Sequence, residues 1–462
     1  MGSVAAAPAT PYARRLLALL GRFAPHPLPH TLVLRPVVLR DFPGFEGITG
    51  EALWAALAAL ERAGLLRPAS PGSRVPLLHL TRPSAPAPGR PPTSAPGRAA
   101  AEASEILQVS EISQSSDTVG ISEVSALGSG EGAGEGAALR DAARALLVRA
   151  ADALGDPGRA PAWPLWCALA PHVFAVLIAE AEGPRSPEIA PDGAAVRRGL
   201  DPGVVRAVPR CLRGLNAAGR YRVAESRARA CLAVLEDALG PAAPEAVAVR
   251  GEIAAALAGR GMWVDAEAAY WGILDAGTRP PGDPDALTVR RGIAGTLAGQ
   301  GKHGAAEDMY RAILEDHLRM LGPEHPATLA VLRGEAAALA GQGRYEEAEQ
   351  AFREVWHTEL LTVGPSHPDA LATYHGVVSA MSGQERYEEA EAAFRRLLGE
   401  RGAVLGPDHP DTLATRFELA LVILLLGRAE EARAEIRAVL AARIDVLGAC
   451  HPLVEATRAH LP

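Results

Sequence analysis

Apolar positions in the second half of the chain fall in paired runs at helical spacing. From Leu321 the sequence reads LGPEHPATLAVLRGEAAALAGQGRYEEAEQAFREVWHTELLT, then VGPSHPDALATYHGVVSAMSGQERYEEAEAAFRRLLGERGAV, then LGPDHP, which ends at His409-Pro410. The copies begin at Leu321, Val363 and Leu405, so the interval is the same twice (363 − 321 and 405 − 363). A fixed period of this size predicts stacked supersecondary units, none of which buries its apolar face alone. Each copy holds two helix-patterned runs split by a turn, Gly341-Gln342-Gly343 or Gly383-Gln384-Glu385. The first run opens at Pro326, Pro368 or Pro410. Proline suits the first helical position, where its missing N–H costs nothing. The second run puts Tyr345, Ala348 and Phe352, then Tyr387, Ala390 and Phe394, on one face at spacings of three and four. Small alanines between aromatics let neighbouring helices approach. The period-2 strands of a propeller blade do not appear in these copies.

The pattern extends outward in columns. Ala266, Ala306, Ala348, Ala390 and Ala432 form one, and Tyr270, Tyr310, Phe352, Phe394 and Ile436 the next. Ala224, with Gly219 and Tyr221 in register, starts an earlier, degenerate unit. A His-Pro corner recurs at His325-Pro326, His367-Pro368, His409-Pro410 and His451-Pro452. The pattern Gly-x-Tyr-x-x-Ala-x-x-x-Phe resembles the second half of a tetratricopeptide repeat. The period and the Leu-Gly-Pro-Asp-His-Pro linker resemble the kinesin-light-chain-like subtype, closely over 239–462 and less so over 201–238. Two positions depart from it: Glu335 stands where the first helix packs an apolar residue, and Ala429 where tyrosine is expected. The resemblance implies an all-α fold over 201–462, a right-handed solenoid of about five and a half helical hairpins.

The N-terminal part reads differently. Residues 11–24 have helical periodicity with a basic start, and GEALWAALAALERAG at 50–64 is an amphipathic helix ending at glycine. Leu65-Leu66-Arg67, a Pro/Gly turn and Val75 to Leu80 then suggest a short hairpin, so 10–82 is compatible with a small winged-helix-like region. Residues 83–137 are rich in Pro, Ser, Gly and acidic residues and are expected to be a disordered linker. A helical segment is expected over 138–200. Its Trp163, Pro164, Trp166, Leu169, Pro171 and His172 resemble the WPxWxxLxPH-like segment of bacterial signal-transduction ATPases of the NB-ARC (STAND) type. Those proteins run ATPase, winged helix, this segment, then tetratricopeptide repeats. The resemblance therefore implies the C-terminal half of such a regulator, without its ATPase.

Composition narrows the function. The chain is 462 residues long, 48% hydrophobic but only 4% aromatic, so its core is built from Ala, Leu and Val. A formal net charge of −8 argues against a dedicated nucleic-acid binder. Cys167, Cys211, Cys231 and Cys450 show no CxxC spacing and suit a reducing cytosol. Leu16 to Leu20 is too short for a signal-peptide core or a membrane span, and Met1-Gly2 lacks the Ser or Thr that myristoylation needs at Ala6. A soluble, cytoplasmic protein with no membrane partner is expected.

No catalytic set or cofactor site is expected. GSGEGAGEG at 128–136 has no GK[ST], no preceding strand and two glutamates that would repel phosphate. The chain's sole lysine, Lys302, sits in a repeat turn. His26 and His30 lack the Cys or acidic neighbours of a metal site, and the corner histidines, one per repeat, cannot converge on one ion, so each is expected to cap its helix. The helix at 50–64 carries Glu51, Glu61 and Arg62, which suits packing better than DNA reading.

The concave groove remains. One inner column reads Gly251, Arg291, Arg333, His375, Phe417; the column before it reads Arg250, Arg290, Leu332, Tyr374, Arg416. Residue type varies here while the packing columns stay uniform. Clustered arginine suits acidic peptides through bidentate pairing; pairing within the stack, to Glu252, Glu335 or Glu418, is the alternative. The expectation is a non-catalytic scaffold or sensor that binds an acidic protein or peptide at Arg250, Arg290, Arg291, Arg333, Tyr374, His375, Arg416 and Phe417. The rivals are the regulatory part of an ATP-dependent switch with a separately encoded ATPase, and a winged-helix DNA-binding regulator.

Overall fold

The structure is a computed structural model that describes residues 9–23, 26–62, 65–68, 77–80, 133–182, 200–275 and 283–461. Two compact units divide the chain: residues 1–155 with 164–211, and residues 156–163 with 212–462.

In the first unit, α1 (Ala9–Leu20) buries Ala13, Leu16 and Leu19 against α4 (Gly50–Arg62), which contributes Leu53, Ala56, Leu57 and Leu60. Between them lie two single-turn helices, α2 (His30–Val33) and α3 (Pro36–Leu39). Strands β1 (Leu66–Pro68) and β2 (Leu78–Leu80) pair antiparallel with Leu66 opposite Leu80, and Leu28 bridges Leu78. Helix α5 (Ala133–Ala153) touches α1 and α2. It begins inside the stretch read as linker, whose residues up to 132 lie outside the described ones. Helix α6 (Trp163–Glu182) buries Trp166, Leu169, Val173, Phe174 and Leu177 completely or nearly so. Among the described residues it alone is long and apolar enough to cross a membrane, over Ala160–Ala181, yet it also buries His172 fully. The His172 Nε2 lies 3.3 Å from the Pro27 carbonyl, which can only accept, so this nitrogen carries the proton. Burial lowers the His172 pKa to about 4, which keeps the ring neutral.

The second unit is the helical stack; the boundary falls within its first helix. Its hairpins are α7 (Pro202–Ala217) with α8 (Tyr221–Leu239), α9 (Pro244–Gly259) with α10 (Trp263–Asp275), α11 (Pro284–Gly299) with α12 (His303–Leu321), α13 (Pro326–Gly341) with α14 (Tyr345–Thr362), α15 (Pro368–Gly383) with α16 (Tyr387–Val404), and α17 (Pro410–Leu425) with α18 (Ala429–Leu447); α19 (Pro452–Arg458) follows. Among the described residues that is six hairpins and a single helix, more than expected, because the degenerate segment at 202–239 also folds as a pair. The alanines at 224, 266, 306, 348, 390 and 432 are all 0% exposed. Tyr270, Tyr310 and Phe352 lie against Gly292, Gly334 and Gly376 of the next first helix; a Cβ there would meet the ring at 2.3–2.5 Å. Glycine lets the two helices close to contact.

Each first helix from α13 onward starts as its corner predicts. Histidines 325, 367, 409 and 451 have extended backbone, and each Nδ1 accepts from the N–H two residues on, at 3.1–3.2 Å. A neutral imidazole thus serves as helix N-cap. Curvature also brings distant repeats together. His409 Nε2 donates to the Ala217 carbonyl at 3.0 Å and His451 Nε2 to the Gly259 carbonyl at 3.2 Å, each across 192 residues.

Candidate functional site: the inner face of the repeats

Helices α9, α11, α13, α15 and α17 each touch the next in this series. Curvature that draws the first helices together makes them the inner face. The two columns read from the sequence lie on it, but the structure gives their members different tasks.

Three arginines are spoken for. Arg250 bonds Glu236 through Nε and Nη2 at 3.1 and 2.5 Å, and the Pro241 carbonyl at 2.8 Å. Arg333 reaches Glu359 at 3.0 Å and Asp369 at 2.8 Å. Arg416 pairs with Glu435 at 2.8 Å. Pairing inside the stack has won at these positions, though with acids other than Glu252, Glu335 and Glu418. The expectation of an arginine cluster awaiting a ligand is corrected accordingly. Arg290 is half-buried and also engaged within the chain.

Arg291 differs. It is half-buried on α11 and makes no ion pair among the described residues. Burial, then the neighbouring positive charge of Arg333, pulls its pKa down, with Tyr270 and Tyr310 close enough to act on it. Burial, then Glu252, pushes the Tyr270 phenol up to about 12, and burial also raises Tyr310. Both hydroxyls therefore stay protonated. A cation with no direct ion pair, near two phenols, is suited to a carboxylate.

The remaining predicted residues, Tyr374, Phe417 and His375, each belong to a separate aromatic pair. Tyr374 packs tilted against Trp356 with centroids 4.7 Å apart, and Arg396 lies over its ring and donates to its hydroxyl at 2.5 Å. Phe417 packs between the guanidinium of Arg443, 4.5 Å from its centroid, and the edge of His460. His375 sits edge-on to Phe394, with Nε2 3.7 Å from Glu418 and Nδ1 3.5 Å from the Ser379 hydroxyl. The Ser379 hydroxyl donates to Glu418. A hydroxyl has one proton to give, so this trio is a hydrogen-bond network and not a nucleophile with its base. Burial lowers the His375 pKa, which favours a neutral ring.

Residues 285–355 and 369–445 match the profile described as tetratricopeptide repeat. These residues are tetratricopeptide repeats. No curated protein matches the chain in sequence. Among solved structures, kinesin-light-chain TPR-like repeats of Podospora anserina are 23% identical, over 42% of this chain and 93% of theirs, with a TM-score of 0.33. BtubC (BKLC) of P. vanneervenii is 18% identical over 51% of this chain and 94% of its own, with a TM-score of 0.36. NprR in complex with its cognate peptide NprX is 16% identical over 57% and 72%, with a TM-score of 0.43.

Between consecutive tetratricopeptide repeats runs a polar ladder that the sequence reading missed. The glutamate after each column alanine is clamped by the turn of the next repeat: Gln300 to Glu267, Gln342 to Glu307 and Gln384 to Glu349, each at 2.6 Å. Arg344 and Arg386 add bonds of 3.1 Å, and Arg428 holds Glu391 at 2.6 Å. The Gln342 amide, helped by Arg311 and Arg344, holds the Glu307 carboxyl below its ordinary range. The signal was the column Glu225, Glu267, Glu307, Glu349, Glu391, one residue past the alanines. These charges rigidify the scaffold and are not available to a ligand. The two ends of the inner face are marked by Glu252 and Glu418, which replace glycine in the column of 292, 334 and 376.

Proposed function

We propose that this protein is a non-catalytic interaction module whose inner face, between α9 and α15, holds an acidic peptide or protein segment. Arg291, half-buried on α11, without an ion pair among the described residues and near enough to Tyr270 and Tyr310 to feel both, carries this reading. A half-buried cation without an anion lowers stability, and an incoming carboxylate would relieve it with charge-assisted bonds. Two repeats further on, Tyr374 of α15 with Trp356 of α14 offers a place for an apolar residue of the same segment. That Cys167, Cys211, Cys231 and Cys450 form no disulfide fits action in a reducing cytoplasm.

The N-terminal unit supports a second reading, that of a regulator which works with a separately encoded STAND-type ATPase. Trp166, Leu169 and His172 of the WPxWxxLxPH-like segment are its core, and helix, helix and hairpin precede them in chain order. Helix α4 presents Glu51, Trp54, Ala58, Glu61 and Arg62 to solvent, a face poorly suited to a phosphate backbone, which weighs against the DNA-binding alternative.

A peptide-display selection on the full-length protein tests the first reading. Selected peptides should share an acidic side chain or a free C-terminal carboxylate. Arg291→Gln should weaken them by about tenfold or more, the worth of one charge-assisted bond, at an unchanged or raised thermal midpoint. Selected peptides without acidic groups, or indifferent to Arg291→Gln, would remove the anion site.

A further inference from the structure

The corners at His409 and His451 close the stack on itself. A first helix runs from its corner to its glycine turn, so corners follow one rim of the array and turns the other. Pro410 lies on the Gly219 turn and Pro452 on the Gly261 turn; a Cβ on either glycine would fall 2.5–2.7 Å from the proline ring. Both glycines have positive φ, +73° and +72°, so each position needs glycine for conformation and for space. The histidine before each proline bonds the carbonyl two residues before the glycine, Ala217 or Gly259. Trp163 stacks on His409 at 5.3 Å. Consecutive repeats make the same contact, so it is a seam between the rims.

The seam bonds reach across 192 residues, about four and a half repeats of 405 − 363 residues each. One rim meets the other only when the array has wound once around its axis. About four and a half first helices therefore enclose the inner face. At an interaxial distance of about 10 Å they form a ring of about 7 Å radius, and a helix with its side chains takes about 5–6 Å of that. The inner side chains show how close the walls stand. Asp369, two repeats beyond Arg291, bonds Arg333 at 2.8 Å and lies near enough to act on Arg291. A closed turn of this size has no room for a second chain.

We propose that this seam is an autoinhibitory clasp, and that a segment reaches Arg291 only when the His409 and His451 corners leave the Gly219 and Gly261 turns. The inference rests on the inner face being the place of an acidic segment. The seam is the boundary that parts at least cost, because it joins a corner to a turn, whereas neighbouring hairpins share whole helix faces. Opening it changes the curvature of the array and leaves each hairpin intact. The observed affinity is then that of the open array multiplied by the fraction that is open. Weakening the seam raises affinity, and locking it removes binding.

The test uses the full chain in a Cys450→Ala background. Its probe is a fluorescent acidic peptide from the display selection that loses affinity in Arg291→Gln. The double variant His409→Asn, His451→Asn keeps a side-chain acceptor for each helix cap but cannot reach the carbonyl across the seam. It should bind the peptide about tenfold more tightly, as loss of two hydrogen bonds from the closed state implies. Gly261→Cys with Pro452→Cys places two thiols across the seam. Oxidised, this variant should lose the peptide; reduced, it should regain it, so the same molecule is its own control for folding. Small-angle scattering should show the array expanding when it is saturated with peptide. Binding unchanged or weakened in the double asparagine variant, an oxidised lock that binds as well as the reduced one, or no expansion on saturation would each overturn the clasp and leave the anion site standing. A selection in which no peptide depends on Arg291 would remove the anion site and the clasp together.

Discussion

Arg333 and Glu359 form a 3.0 Å ion pair inside the stack, with the glutamate side chain only 2% exposed. Burial, the largest influence on Glu359, raises its pKa, and Arg333 opposes this most strongly. Thr373 and the Asp369 carboxylate complete the shell around the arginine. In the two following repeats the position of Glu359 is held by Arg401 and Arg443, which bond Thr415 and Thr457 and nearby carbonyls. Arg333 is therefore the charge that this one repeat needs because its column turned acidic.

Arg333→Met should lower the unfolding free energy by about 3 kcal/mol, since it strands a buried carboxylate. Adding Glu359→Gln should restore most of that loss. Urea denaturation of the two single variants and the double gives the coupling directly; additive losses would mean that the pair is not energetically linked.

These partners explain what could and could not be read from the sequence. The alanine column, the aromatic column and the histidine caps were legible because each recurs once per repeat. Arginine partners were not. Arg250 finds Glu236 fourteen residues back, Arg416 finds Glu435 nineteen residues on, and Arg333 finds Glu359 twenty-six residues on. Three offsets leave no periodic trace. The contact of His409 with Ala217 is beyond sequence reading for another reason: it depends on curvature accumulated over several repeats.

Packing of the columns makes a sharper demand than their composition. Ala348→Leu adds volume where the residue is 0% exposed, and Gly376→Ala puts a Cβ 2.5 Å from the Phe352 ring. Each should cost about 1–3 kcal/mol by overpacking. Ala434→Leu, on the exposed side of α18, should change stability by less than about 0.5 kcal/mol. Thermal unfolding of the three variants checks the register of the repeats.

Glu385 stands at φ +62°, where the equivalent turns carry Gly261, Gly301, Gly343 and Gly427 at +72° to +84°. A side chain strains this left-handed conformation by about 1 kcal/mol. Glu385→Gly should raise the melting temperature accordingly. A fall would show that the Glu385 side chain contributes more than its backbone strain.

His172 makes the N-terminal unit sensitive to acid. Its pKa is lowered from 6.5 to about 4 in the folded chain, mainly by burial. A lowered folded pKa means that the unfolded chain takes up the proton first. Stability from this residue is complete above pH 6.5, falls as pH drops below that value, and levels off near pH 4. The full loss is about 3 kcal/mol. His172→Gln, which cannot titrate, should flatten this part of the profile when unfolding is followed between pH 7.5 and 4; parallel profiles for the two proteins would exclude His172 as the source.

Arg291 and Arg333 occupy the same column of neighbouring repeats, yet they should respond to mutation in opposite ways. Arg333 neutralises Glu359 and Asp369. Arg291 has burial and the charge of Arg333 against it, and only weaker, opposing influence from Tyr270, Tyr310 and Asp369. Removing a half-buried charge that has no direct ion pair relieves desolvation and like-charge repulsion together. Arg291→Met should thus leave stability unchanged within about 0.5 kcal/mol or raise it by on the order of 1 kcal/mol. A residue that does not stabilise the fold, on a face where its neighbour does, is what a binding surface held against stability looks like. If Arg291→Met instead costs as much as Arg333→Met in the same urea titration, Arg291 is part of the scaffold, and the acidic segment must be sought elsewhere on the inner face.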